Sequence, residues 1–161
     1  MWIIEDTRQQ KGKHAAKHEH FAASGTHLIH CALPFGDYAL PPLVAIDTKR
    51  DMNEIAQNIH EGAKGRPSGH TRFVDECIAA KEAGCKLFIL VENTNGIRSV
   101  DEVHTWINPD CVYRPKCIQG PQLEKAMKTI QTRYGCTFLF CTPEESGRII
   151  EQILSAERKD E

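Results

Sequence analysis

The sequence lacks an apolar run long enough to cross a membrane. Among its 161 residues, no apolar segment approaches the roughly 20 residues that a transmembrane helix needs. The first residues, Met1 to Asp6, also lack the basic region that opens a secretory signal and carry acids instead. We therefore expect an intracellular protein, in the cytoplasm or in a nucleoid or nucleus, with no membrane partner.

Closely spaced cysteine pairs are also lacking. The seven cysteines are odd in number, and the nearest pairs, Cys136/Cys141 and Cys111/Cys117, do not have the short spacing of zinc hooks. Several others, such as Cys31 and Cys77, fall in apolar segments, where a free thiol packs as a small hydrophobe. The sequence therefore predicts reduced cysteines in the core.

Neither sign of charge dominates, since 20 basic and 22 acidic residues give a net charge of −2. A nucleic-acid binder that relies on electrostatics alone is basic, so this balance argues against that class. The sequence also has no glycine-rich phosphate loop, dinucleotide motif or nucleophile elbow, and no nucleotide cofactor is expected.

The hydrophobic periodicity predicts an α/β domain. Apolar and β-branched runs indicate strands, and 3.6-residue periods indicate helices. The predicted strands cover 2–7, 26–33, 36–40, 43–49, 87–91 and 136–141. The predicted helices cover 11–23, 52–59, 100–107, 121–134 and 143–156, with another from about 73 to Gly84. We expect a mixed sheet with helices on both faces, in a single domain over 1–156 with a frayed tail at 157–161.

Two local patterns refine this assignment. The first four strands are close in sequence, which favours an antiparallel meander at the start of the sheet. Ser99 with Glu102, and Thr142 with Glu145, match the capping box that opens a helix, and the second pair has proline at the first helical position.

Two acids and one lysine fall on or beside predicted strands. Asp37 follows a glycine, and Asp47 and Lys49 lie two residues apart in the run 43–49. Because strand side chains alternate, Asp47 and Lys49 are expected on one face, with Asp37 arriving from a neighbouring strand. Such a set suits a divalent cation and phosphodiester hydrolysis. Taken singly, Asp37 is also typical of a turn, and Asp47 with Lys49 of an exposed ion pair.

Four motifs in the same order and spacing resemble the XPF/Mus81 (ERCC4-type) nuclease family, a branch of the PD-(D/E)xK nuclease superfamily. Residues 4–9 resemble its Asp-x-Arg-Glu strand, residues 33–38 its Gly-Asp-Tyr element, and residues 44–49 its Glu-Arg-Lys strand. The segment 53–59 stands where the family starts its next helix, and the likeness continues through 72–77 and the apolar strand that ends at Glu92. The resemblance implies a restriction-endonuclease-like fold, a structure-selective DNA endonuclease acting on flap, fork or junction DNA, and a homodimer.

The resemblance and the ligand types together suggest a site for Mg²⁺ or Mn²⁺. Asp37 and Asp47 are the expected ligands, with the Thr48 carbonyl as a further one and Asp6 at the edge of the site. Lys49 is expected to orient a water or to stabilise charge on the phosphate oxygens. The predicted catalytic residues are therefore Asp37, Asp47, Lys49 and Asp6.

Arg8 is expected to grip a flanking phosphate of the DNA. Lys64 and Arg66, in the glycine-containing loop 62–69, are interpreted either as a mobile clamp on the DNA backbone or as part of a linker. Three further sets stay open. The histidines His14, His18 and His20 and the lysines Lys11, Lys13 and Lys17 belong to a solvated helix face or to a DNA contact, and Glu92 either assists the site or caps its strand.

The sequence departs from the family pattern in several places. Asp47-Thr48-Lys49 stands for Glu-Arg-Lys, Gln9 stands where an acid is usual, and Asn53 replaces a later aspartate, for which Asp51 is a shifted substitute. We also expect no helix-hairpin-helix module in this chain, although one often follows the nuclease domain in the family. A non-catalytic DNA-binding or scaffolding subunit is therefore the second hypothesis, and a different α/β enzyme is the third.

Overall fold

A computed structural model of the chain describes residues 1–8, 12, 14–40, 44–60 and 71–157, except for the side chain of residue 157. The strands are β1 (Trp2–Asp6), β2 (His27–Cys31), β3 (Tyr38–Leu40), β4 (Val44–Lys49), β5 (Lys86–Glu92) and β6 (Thr137–Cys141). The helices are α1 (Ala15–Ser24), α2 (Met52–His60), α3 (Arg72–Glu82), α4 (Gly120–Tyr134) and α5 (Ser146–Glu157). Two short 3₁₀ helices cover Val100–Thr105 and Pro109–Val112.

The six strands form one mixed sheet in the order β2-β1-β3-β4-β5-β6. Strand β3 pairs antiparallel with β1 and β4, whereas β4, β5 and β6 are parallel. The predicted meander is wrong at its start, because β1 and β2 are parallel neighbours. Helix α1 lies between them in sequence and makes a crossover, which is the connection that parallel strands require. The predicted α/β class and mixed sheet are confirmed.

Helices cover both faces of the sheet, as predicted. On one face, α2, α3 and α4 pack on the sheet through side chains such as Met52, Phe73 and Leu123. On the other, α1 and α5 pack through Phe21 and Ile150. Strand β5 is covered on both faces, because its alternate residues belong to the two cores.

The helix starts in the C-terminal half differ from the prediction. In place of a helix over 100–107, the chain forms a short 3₁₀ helix, and the Glu102 side chain accepts from the Arg98 N–H instead of closing a capping box with Ser99. Helix α5 begins at Ser146, after a turn in which the Thr142 N–H donates to Glu145 Oε2 at 2.9 Å. Of the predicted capping box of Thr142 and Glu145, the described structure has this hydrogen bond from the Thr142 N–H to Glu145.

The cysteine prediction is correct for part of the set. Cys77, Cys136 and Cys141 are buried free thiols, but Cys31 is exposed on the edge strand. Cys111 and Cys117 form a disulfide, contrary to the prediction of reduced cysteines. The turn that begins at Pro109 brings their Cα atoms to 5.3 Å, within the range that a disulfide bridges.

Within the described residues, no helix combines the length and the apolar character that a membrane span needs.

Candidate active site

The end of β4 carries the centre of the candidate site. Asp47 and Lys49 project from the same face of this strand, as their spacing predicts, and Lys49 Nζ lies 2.6 Å from Asp47 Oδ2. Both side chains are buried, which differs from the exposed ion pair considered as an alternative. The Lys49 ammonium also lies 5.3 Å from the centre of the Phe73 ring on α3, a cation–π contact that helps to hold it.

Asp37 is fixed beside this pair by the pairing of β3 with β4. Its N–H donates to the Ile46 carbonyl at 2.7 Å, one residue before β3 begins. Its carboxylate accepts from Thr48 twice, from the backbone N–H at 2.8 Å and from the hydroxyl, and both bonds go to Oδ2. The Asp37 carboxylate is therefore attached to the strand that carries Asp47 and Lys49.

A glycine permits the turn that presents Asp37. Gly36 has a φ of +74°, and a Cβ at this position would lie 3.1 Å from the Ile46 carbonyl oxygen. The Gly36 N–H donates to Glu76 Oε1 on α3 at 2.6 Å. Only glycine adopts this positive φ and tolerates the close Ile46 carbonyl without strain, which explains the Gly-Asp pair in the sequence.

Glu76 is a site residue that sequence reasoning missed. It lies on α3 three residues after Phe73, so the two side chains share a helix face. Its negative charge acts on both Asp47 and Lys49. The sequence signal for Glu76 is its helical spacing from Phe73. That spacing places Glu76 at the site only once α3 is known to pack beside β4.

The site carries more negative than positive charge. Burial raises the pKa of Asp47; Lys49 opposes this effect, and the charges of Glu76 and Asp37 add to it. Burial lowers the pKa of Lys49, but Asp47, Glu76 and Asp37 outweigh it, so the net shift is upward. Both pKa shifts have the sign expected where three carboxylates lie near one ammonium. The resulting negative electrostatic potential attracts a cation.

Asp6 and Arg8 pair with each other at the end of β1. The Arg8 Nε donates to Asp6 Oδ2 at 2.9 Å, and the Leu33 N–H donates to Oδ1 at 3.3 Å. Burial opposes ionisation of Asp6, but the bonds from Arg8 and Leu33 prevail and lower its pKa. The Asp6 N–H donates to the Asp37 carbonyl at 2.9 Å, so Asp6 borders the site while its carboxylate is engaged by Arg8.

Arg8 is half-exposed. Its pairing with Asp6 raises its pKa, and the negative charges of Glu76 and Asp37 raise it further. The electrostatic potential of the site therefore extends to Arg8. Lys64 and Arg66, the other predicted DNA contacts, lie outside the described residues, as do Gln9, Lys11 and Lys13.

Part of helix α1 is buried on the opposite face of the sheet, so for His14 and Lys17 neither the solvated face nor the DNA contact holds. Residues 14, 17 and 21 follow a helical spacing that faces the sheet, and His14 and Lys17 are buried. Lys17 forms a buried ion pair with Glu92 at the end of β5. Glu92 therefore neutralises a helix lysine on that face.

A second carboxylate, Glu5, accepts from Tyr38 Oη at 3.0 Å on the same face as the Lys17–Glu92 pair, and His18 Nε2 lies 2.6 Å from it. His18 itself remains exposed, as predicted.

The donor set has the chemistry of a hard-cation site. Asp37 and Asp47 present carboxylate oxygens, and the buried Asp47 Oδ2 has the Lys49 ammonium as its neighbour. Across the described ranges, no group of three or more His, Cys, Asp or Glu side chains is arranged to hold a metal ion. Mg²⁺ commonly binds through one or two carboxylates and completes its octahedron with water and substrate oxygens, so the residues fit that mode of binding.

No family model and no curated protein sequence matches this chain. Two solved structures of XPF from Aeropyrum pernix are similar to it, each with a TM-score of 0.69. One is 18% identical over 98% of this chain; the other, a complex with DNA, is 19% identical over 99%.

The chain spans 65% and 66% of the length of those two XPF chains. At this level of identity the likeness concerns the fold. The mixed six-stranded sheet with helices on both faces is the arrangement that the motif resemblance implied. The chain therefore has the restriction-endonuclease-like α/β fold seen in XPF.

Proposed function

We propose that this protein is a divalent-metal-dependent endonuclease that hydrolyses phosphodiester bonds in branched or flapped DNA. The observation that carries the proposal is the attachment of the Asp37 carboxylate to β4, beside the buried Asp47–Lys49 pair. The XPF fold supports it, and one of the XPF structures is a complex with DNA.

The chain's own residues would divide the work as follows. Asp37 and Asp47 would hold Mg²⁺ or Mn²⁺, and the Thr48 carbonyl and Asp6 remain predicted further contacts. When bound, such an ion supplies a Lewis acid for a phosphate oxygen and lowers the pKa of water. Lys49, oriented by Asp47 and the Phe73 ring, would stabilise the negative charge that develops on the phosphate oxygens.

The DNA-binding part of the proposal rests on Arg8, an exposed cation beside Asp6. Arg8 would contact a phosphate that flanks the scissile bond, at the expense of its pairing with Asp6. Lys64 and Arg66 remain predicted contacts from the sequence. A homodimer is also part of the proposal, and sedimentation velocity of the purified chain tests it.

The substrate and the requirement for metal are tested together. The purified chain is incubated with flap, fork, nicked and four-way DNA, each with Mg²⁺, with Mn²⁺ and with chelator. We expect metal-dependent cleavage of at least one branched form and no cleavage by Asp37→Asn. Asp101→Asn, which removes an exposed surface carboxylate, is the matched control and should cleave normally. Full activity of a folded Asp37→Asn variant would contradict the assignment.

A scaffolding subunit is the second candidate. It is favoured by Thr48 in place of an arginine and by the engagement of Asp6 with Arg8. Retention of Asp37, Asp47 and Lys49 in one cluster weighs against it, since a non-catalytic chain has no need of the set. Calorimetric titration with Mn²⁺ separates the two candidates, because a scaffold should show no binding that depends on Asp47.

A further inference from the structure

One loop exposes three large apolar side chains. Ile107, Val112 and Tyr113 are 81%, 77% and 86% exposed, the largest values among the exposed large hydrophobic residues that the structure describes. Isolated apolar residues on a surface are ordinary, but three within one short loop make that loop a candidate interaction site. We call residues 107–118, which contain all three, the tyrosine loop.

The tyrosine loop is held in shape by its own polar contacts. The Asn108 side chain accepts from the Asp110 N–H at 2.9 Å and donates to the Ile118 carbonyl at 2.8 Å, which joins the two ends of the loop. The disulfide between Cys111 and Cys117 closes a smaller ring around Tyr113. Tyr113 is therefore presented on a constrained segment, which reduces the entropy lost when it binds a partner.

The charge around Tyr113 indicates the kind of partner. Arg114 and Lys116 are exposed, and neither forms an ion pair with any residue that the structure describes. The loop's acid, Asp110, accepts from the Gln57 side chain at 3.2 Å. An exposed ring next in sequence to two exposed cations matches a polynucleotide, whose bases stack on aromatics and whose phosphates attract cations.

The position of the loop connects it with the candidate active site. Gln57 belongs to α2, which begins three residues after Lys49. At a rise of 1.5 Å per residue, Gln57 lies about 8 Å along the helix axis from Met52. Trp106, immediately before the loop, packs in the core on the same sheet face as α2 and α3. The loop thus lies on the side of the sheet that carries α2, α3 and the candidate site.

We propose that the tyrosine loop binds a single-stranded segment of the nucleic-acid substrate, with a base stacked on Tyr113 and phosphates on Arg114 and Lys116. This inference rests on the proposed function and adds to it a contact that favours DNA with an unpaired arm over plain duplex. An apolar protein partner, including a second copy of this chain, would be the competing occupant and is an outcome of the test.

The test measures binding without cleavage. Fluorescence anisotropy follows a labelled oligo(dT) of about 20 nucleotides and a blunt duplex of matched length in chelator, so that only association is observed. We expect Tyr113→Ala to weaken oligo(dT) binding at least five-fold, since stacking of one base is worth ~1 kcal/mol or more, and Tyr113→Phe to restore it. The double variant Arg114→Ala/Lys116→Ala should lower the salt dependence of binding, whereas Lys125→Ala on α4 should change neither property.

Four results would overturn the inference. Oligo(dT) binding by Tyr113→Ala equal to that of the unaltered chain removes the stacking contact. If Tyr113→Ala changes the sedimentation coefficient of the protein but leaves its DNA binding unchanged, the loop belongs to a protein interface. Absence of oligo(dT) binding by the unaltered chain, while metal-dependent cleavage persists, removes the inference but leaves the proposed function. Absence of both binding and cleavage removes the two together.

Discussion

The Gly36 N–H donates to Glu76 Oε1 at 2.6 Å, and this one bond joins helix α3 to the turn that presents Asp37. Asp37 is in turn bonded to Thr48 on β4, so the helix, the turn and the strand are linked in a chain of hydrogen bonds. Glu76 therefore has two roles in the site: it positions the turn, and its charge adds to the negative potential at Asp47.

Replacement of Glu76 separates these two roles. Glu76→Ala loses both the hydrogen bond to Gly36 and the negative charge. We expect the cleavage rate to fall by about 100-fold, because a small misplacement of a catalytic group has a cost of that size. Glu76→Gln keeps an oxygen to accept from Gly36 but loses the charge, so we expect a smaller fall in rate and a higher metal concentration for half-maximal activity. Metal titrations of single-turnover cleavage measure both quantities. Wild-type rates in Glu76→Ala would contradict the positioning role.

Gly36→Ala should destabilise the protein through a local clash as well as through its backbone conformation. A non-glycine residue with positive φ costs about 1–2 kcal/mol, and the added Cβ would also press on the Ile46 carbonyl. Gly96→Ala is the matched control, since Gly96 has a φ of +79° but open space around its Cβ position. Urea unfolding should show a larger loss for Gly36→Ala than for Gly96→Ala. Equal losses would argue that the turn at Gly36 has room for a side chain.

Glu151 should make stability depend on acid pH. Its carboxylate on α5 accepts from the hydroxyls of Ser24 and Thr26, and His20 Nε2 lies 2.9 Å away. Burial opposes ionisation, but these partners lower the pKa of Glu151 below its ordinary value of 4.5. The stabilisation is therefore present above about pH 4.5 and is lost as the pH falls further.

Glu151→Gln tests this dependence by thermal or urea unfolding across pH. At pH 7 we expect it to cost about 1 kcal/mol, the usual net value of one intramolecular hydrogen bond. The difference from the unaltered chain should shrink as the pH falls below about 4.5. Glu144→Gln, at an exposed position, is the control. A difference that stays constant through the acid range would show that the charge of Glu151 is not involved.

The disulfide predicts a definite thiol count. Of the seven cysteines, five are free, and Cys111 and Cys117 are paired. Protein purified without reductant and unfolded in denaturant should therefore expose five thiols to a chromogenic disulfide reagent, and seven after reduction. Seven thiols before reduction would show that the pair is open and would restore the sequence-based expectation for these two residues.

Local pattern accounts for most of the fold. The helix of Met52 and Ile55 follows from its helical period and the buried strand 87–91 from its continuous apolar run, and each lies where it was predicted. The parallel pairing of β1 with β2 did not follow, because strand proximity in sequence favours hairpins. The helix between the two strands was the contrary signal, and it decides the topology.

The candidate site shows the same division between local and non-local information. Asp47 and Lys49 share a strand face by their spacing, and the Gly-Asp turn brings Asp37 to them. The role of Glu76 depends on a helix that packs from a distant part of the chain. The ion pair of Asp6 with Arg8 likewise depends on rotamers, which spacing does not determine.

The most direct test of the account is single-turnover cleavage of a labelled flap DNA by Asp47→Ala in the presence of Mg²⁺. The substitution removes the carboxylate that orients Lys49 and that would hold the ion, while Glu124→Gln on the surface of α4 serves as the control. The account predicts cleavage by the unaltered chain and by Glu124→Gln, and none by Asp47→Ala with an unchanged circular dichroism spectrum. Cleavage at the unaltered rate by folded Asp47→Ala would contradict it.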